Sequence, residues 1–187
     1  MKVQIGVSAR HIHLNEEDYK KLFGNLRLSV EKELVQRNEY ASDKVVTIKG
    51  PKGYIENVRV LGPLRNKTQV EISITDSYKL GIKPPIRESG DLKGAEQITI
   101  ISSKGSISKK VAIVPNRHIH LSLEEAKEYN LKDGEFVSVK VDSQKGGIMD
   151  NVQIRVDENY VLEMHIDTDD ANAFLLSTGD FVEVIGK

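Results

Sequence analysis

The chain has 187 residues, with 27 Lys plus Arg against 28 Asp plus Glu, a formal charge of −1 at neutral pH, and no cysteine. That length buries a real core without covalent staples, and the lack of cysteine excludes thiolate zinc sites, cysteine nucleophiles and a disulfide framework. Balanced charge gives no global basic field for nucleic acid, and aromatics at 5% are too few for a base-stacking or sugar-binding surface.

Residues 1–8 are too short to form a signal or transit segment, and no apolar run approaches membrane-spanning length. The expected address is the cytoplasm. Next comes Arg10-His11-Ile12-His13-Leu14, and the same pentapeptide returns as Arg117-His118-Ile119-His120-Leu121, so two copies hold four of the five histidines. A given pentamer recurs by chance in such a chain on the order of one time in a hundred or less, which favours an internal duplication. On an extended segment side chains alternate, so His11 and His13 share one face while Ile12 and Leu14 turn into packing. Each copy can thus offer two neutral imidazoles to one ion, and catalytic zinc usually takes three protein ligands and keeps a fourth position open.

A lone strand histidine is more often a hydrogen-bonded residue than a ligand. The duplication tips the balance toward metal binding by His11, His13, His118 and His120. After the first motif, residues 15–24 read as an N-cap, an acidic first turn and a short helix, and residues 122–129 repeat that pattern after the second. Residues 44–49 and 135–141 read as short strands, and frequent turns at 50–53, 62–63, 145–147 and 178–180 give the rhythm of small barrels or sandwiches. The expectation is a mainly β protein with short α-helices.

Within residues 61–71, Arg65 sits on a turn from which a loop can fold it back, and its guanidinium suits phosphate or carboxylate. Glu71 lies in the strand-like run of residues 69–74, the best-placed carboxylate to complete the first histidine pair. The prolines and glycines of residues 80–91 suggest an ordered connection. The predicted division is an N-terminal half, 1–85, and a C-terminal half, 86–187, with strands free to exchange between them. His165, in the alternating run 163–167, is the natural third ligand for the second pair. Two ions at a shared cleft would stabilise oxyanions and hold a thiolate or hydroxide at neutral pH.

Taken together, residues 7–14, Leu61 to Arg65, Glu71-Ile72-Ser73, residues 115–121 and His165-Ile166-Asp167 resemble the PduL family of phosphate acyltransferases over nearly the whole chain. The resemblance implies two similar small β-barrels capped by helices, with the active site and two zinc ions at their interface. One ion would be held by His11, His13 and Glu71, the other by His118, His120 and His165. The implied reaction converts a short-chain acyl-CoA, propanoyl or acetyl, and phosphate to acyl phosphate and CoA, reversibly, with Arg65 on the phosphate. Ser8, Arg59, Leu61 and Asn172 fall where that family contacts CoA, with Lys32 nearby and His165 beside the substrate. Propanediol degradation is the implied setting. The partners are small molecules only, with no nucleic acid or membrane, and a homo-oligomer is allowed. Family members of bacterial microcompartments carry an extension before the first motif, whereas this sequence reaches Val7-Ser8 almost at once, so a freely cytosolic enzyme is expected. The competing readings are a metal-dependent hydrolase or isomerase of a small carboxylate or phosphate ester, and a non-catalytic metal-binding module.

Overall fold

The computed structural model describes residues 1–25 and 27–186. In chain order the elements begin with β1 (Lys2–Ser8), β2 (His11–His13), α1 (Glu16–Phe23), β3 (Val30–Glu33), β4 (Tyr40–Lys49) and β5 (Tyr54–Gly62). There follow β6 (Gln69–Glu71), α2 (Ile74–Leu80), β7 (Ile86–Arg87), β8 (Glu96–Ile101) and β9 (Ser106–Pro115). The last third supplies β10 (His118–Leu121), α3 (Leu123–Glu128), β11 (Phe136–Val141), β12 (Gly147–Val156), β13 (Glu163–Asp167), α4 (Thr168–Phe174) and β14 (Phe181–Gly186).

The mainly β fold with short helices and two small barrels is what the structure contains. One six-stranded ring runs β4-β5-β2-β6-β9-β8 and closes through the β8 to β4 pairing, with β3 added beside β4 and β7 beside β9. The other runs β1-β13-β10-β12-β11-β14 and closes through β14 to β1. The rings are equivalent strand for strand. Each motif strand lies parallel to one neighbour, β5 or β12, and antiparallel to another, β6 or β13. The strands that carry Glu71 and His165, β6 and β13, are each followed in their ring by a parallel partner, β9 or β1. The strand preceding each motif therefore closes the barrel that does not contain that motif. Accordingly, one compact unit comprises Met1–Ala9, Val35–Arg37 and Asn116–Lys187, and the other Arg10–Leu34 and Asn38–Pro115.

Each barrel has its own apolar interior. Ile12, Leu14, Ile48, Val58, Val60, Val70 and Ile100 fill the first, and Ile5, Ile119, Leu121, Val139, Ile154 and Met164 fill the second, all with no more than traces of exposure. The apolar members of both motifs are thus core residues, each burial contributing about 1.5–3 kcal/mol. Among the described residues, no helix is long and apolar enough to cross a membrane.

The helices start where side chains can replace missing backbone partners. Asn15 caps α1 by accepting from the Asp18 N–H, and Ser73 and Ser122 open α2 and α3 with reciprocal capping boxes through Asp76 and Glu125. That box is why the strand-like run of residues 69–74 does not continue as a strand. β6 stops at Glu71, and the Ser73 cap turns the chain into α2. At the other end of α2, Gly81 takes a left-handed φ of 75°, as helix-ending glycines do. The connection 80–91 also contains β7, paired in parallel with β9.

Candidate metal centres

The register sets both ligand groups. His11 lies opposite Glu71, and His13 opposite Gln69. In the second barrel His118 lies opposite His165, and His120 opposite Glu163. The two motif histidines and the third donor thereby converge in each ring: His11, His13 and Glu71 offer donor atoms within 4.8 Å of one another, and so do His118, His120 and His165. A tetrahedral zinc site with bonds near 2.0–2.1 Å needs donors roughly 3.3 Å apart, so small adjustments suffice.

The donor chemistry fits an ion. Glu71 is buried, with Oε2 3.4 Å from His11 Nε2 and Oε1 4.0 Å from His13 Nε2. Burial alone would push its carboxyl up, but the charge and hydrogen bond of His11, then His13 and Ser89, bring it well below the usual carboxylate range. His13 is held well below the ordinary imidazole value by burial, then by His11 and Arg65, against the opposing pull of Glu71. It is therefore neutral at physiological pH, the form that ligates. Its buried Nδ1 has no hydrogen-bond partner among the described residues. In the second barrel, His118 Nδ1 donates to the Asn116 carbonyl at 2.7 Å, which fixes the tautomer that carries its lone pair on Nε2. The His120 ring stacks on Tyr160 with centroids 4.0 Å apart.

The arginine of each motif has a structural partner. Arg10 Nε reaches both carboxylate oxygens of Asp76 at 2.9 Å, and Arg117 Nη1 lies 3.5 Å from Asp170. Both acids sit in the first turn of the helix after the third-ligand strand, α2 or α4. Each pentapeptide thus presents its imidazoles while its guanidinium pins the strand to the neighbouring helix.

Arg65 lies in the loop between β5 and β6, its N–H donating to the Leu14 carbonyl at 2.9 Å. One guanidinium nitrogen meets Glu39 at 2.7 Å and the other Ser89 Oγ at 3.3 Å; Ser89 in turn donates to Glu71 Oε1 at 3.0 Å. One hydroxyl therefore separates this arginine from the first triad. Arg59 and Leu61 flank His11 and His13 in register on β5, and Arg59 is engaged by Glu31 and by the Ser42 carbonyl. Ser8 pairs with Asp167 at the end of β1. Asn172 lies on α4, its carbonyl accepting from Lys145 at 3.2 Å. Lys32 is exposed on β3.

Sequence reasoning did not single out the polar residues around the triads. Gln69 Nε2 donates to Glu71 Oε1 at 2.5 Å and to Ser89 Oγ at 2.9 Å, while its Oε1 accepts from the Gly90 N–H at 2.7 Å. Glu163 Oε2 accepts from His165 Nε2 at 2.7 Å and from Gln36 Nε2 at 3.2 Å. Burial raises the Glu163 carboxyl, but the His165 and Gln36 bonds outweigh it and the net shift is downward. Gln69 and Glu163 each stand two residues before a third ligand, a spacing that strand periodicity could have flagged. Ser89 and Gln36 lie in irregular segments that gave no such signal.

A family model described as phosphate propanoyltransferase matches residues 4–177. Curated proteins of that name are similar over nearly the full chain. One from Thermotoga maritima is 51% identical, covering 97% of this chain and 88% of that protein. One from Priestia megaterium is 50% identical, covering 95% and 83%, and one from Lachnoclostridium phytofermentans is 46% identical, covering 98% and 87%.

Proposed function

The chain belongs to the phosphate propanoyltransferase family and is an acyltransferase, and from that premise we propose that it interconverts a short-chain acyl-CoA and phosphate with acyl phosphate and CoA, using two zinc ions. The observation that carries the two-ion reading is the pair of triads at equivalent register in the two barrels, buried except for the half-buried His165. His11, His13 and Glu71 would hold one ion, and His118, His120 and His165 the other. When bound, such ions supply electrostatic stabilisation to the phosphate, the carbonyl oxygen and the departing thiolate.

The remaining work belongs to the chain's own residues. Arg65 offers planar guanidinium donors matched to phosphate oxygens, and Glu39 and Ser89 hydrogen-bond it. Holding phosphate against a bound thioester converts a bimolecular encounter into a positioned attack. A phosphate oxygen bonds to the thioester carbon, the carbon–sulfur bond breaks, and CoA leaves with the electron pair. No protein nucleophile enters, in keeping with a chain without cysteine. Ser8, Arg59, Leu61, Asn172 and the open side of His165 are assigned to CoA, and propanoyl and acetyl chains are both within the proposed substrate range.

The family favours this reading over a hydrolase or isomerase, which would turn over without CoA. The test is CoA release from propanoyl-CoA by purified protein. Release should depend on phosphate, yield propanoyl phosphate in equal amount and leave no acyl group on the protein in a single turnover. Release without phosphate, or a trapped acylated side chain, would overturn the proposal.

A further inference from the structure

We propose that Gln69 and Glu163 are matched positioning residues, one per barrel, each suited to the chemistry of the third ligand two residues after it. This rests on the reading of both triads as metal sites. The two residues occupy the same place in the fold, opposite the second motif histidine, at His13 and His120 respectively. Both are buried, at 3% and 5% exposure, and each shares a strand face with its ligand.

Their chemistry differs where the ligand differs. Glu71 as a carboxylate only accepts hydrogen bonds, and its neighbour is an amide that donates. His165 has a ring N–H to give, and its neighbour is a carboxylate that accepts. Exchanging the neighbours would place two carboxylates side by side in the first barrel and remove a charged acceptor in the second. Glu163 lies outside the group of mutually close donors formed by the three imidazoles, which separates it from the ligands themselves.

Each positioning residue is itself fixed by backbone. Gln69 is held by the Gly90 N–H and the Ser89 hydroxyl. Glu163 is held by Gln36, whose amide both donates to the Val161 carbonyl at 2.9 Å and accepts from the Val161 N–H at 3.1 Å. Space for the second pair depends on Gly6 in β1, where a Cβ would come within 2.7 Å of Glu163 Oε1 and 3.1 Å of His165 Cδ2. The consequence is tautomeric. The bond to Glu163 keeps hydrogen on His165 Nε2, so His165 ligates through Nδ1. Gln69, in turn, leaves Glu71 Oε2, the oxygen nearer His11, for the ion.

The test titrates metal-free protein with Zn2+ against a chromophoric chelator. Wild type should bind at two sites, and Glu163→Gln should weaken one of them about 10- to 100-fold while leaving the other unchanged. Gln69→Glu should weaken only the other. His165→Glu should bind poorly at its triad, and adding Glu163→Gln should restore about 10-fold or more, because the pair then copies the first barrel. Nitrogen-15 spectra of the metal-free wild type, which need no variant to fold, should show His165 as the Nε2–H tautomer. Wild-type zinc affinity in Glu163→Gln, no gain in the double variant, or the Nδ1–H tautomer would overturn the inference while leaving the metal sites standing. A wild type that binds no zinc would remove both.

Discussion

The two barrels share strand order, register and a motif, yet the sites they carry are not copies. In the first, the third ligand is a carboxylate, and Arg65 is reached through Ser89. In the second, all three donors are imidazoles and Tyr160 stacks on one of them. Two histidines and a glutamate cancel one charge of a divalent ion, whereas three neutral histidines cancel none. With a divalent ion in each triad, the second barrel would offer the stronger anion acceptor, and the first a less charged centre beside a guanidinium. The frame is the same strand for strand, and the difference at one strand position makes the two triads electrostatically different.

The sharpest way to break the comparison is to remove one ligand at a time. His118→Ala or His165→Ala should abolish phosphate-dependent CoA release and cost one zinc, with the first barrel's ion retained; His11→Ala should do the converse. Metal analysis beside the activity assay checks this, and loss of both ions from one substitution would show that the sites are not separable.

A smaller effect is expected at the loop that follows β5 or β12. The Arg65 N–H bonds to the Leu14 carbonyl, and its counterpart is Asp157, whose N–H bonds to the Leu121 carbonyl at 3.1 Å. Arg65→Ala should keep both ions yet lower kcat/KM about 100-fold, near 2.7 kcal/mol in transition-state terms, with weakened phosphate use. Asp157→Ala, at the same place in the other barrel, should change kcat/KM by less than about threefold. Equal effects would remove Arg65 from the phosphate.

The smallest difference lies in the helices after the motifs. Ser122→Ala should cost about 1 kcal/mol in denaturant melts, because a reciprocal capping box is lost. Asn15→Ala should cost less. α1 is also anchored by buried Asp18, which accepts from Lys109 at 2.7 Å and from Thr68 at 2.5 Å.

Much of this was readable from the chain because metal-ligating residue types are few and the repeated pentapeptide doubled the signal. The grouping of His11 and His13 with Glu71, and of His118 and His120 with His165, was readable from residue type and spacing, and the helices after both motifs from their caps and acidic turns. Which strands exchange was not readable, since periodicity says which face of β1 is buried but not which ring it joins. Gln36 and Ser89 were invisible for a related reason: they act on groups 127 and 18 residues away from irregular segments, and no local pattern marks such a reach. Ser73 was misjudged because Ile72 and Ile74 continue the β-branched run, while its capping box with Asp76 decides for helix.

The central claim is that each barrel's triad holds its own metal ion. Elemental analysis of protein purified without chelator or added metal tests it most directly. About two zinc ions per chain, falling to about one in His165→Ala, is the predicted result. Fully active protein with no stoichiometric metal would contradict it.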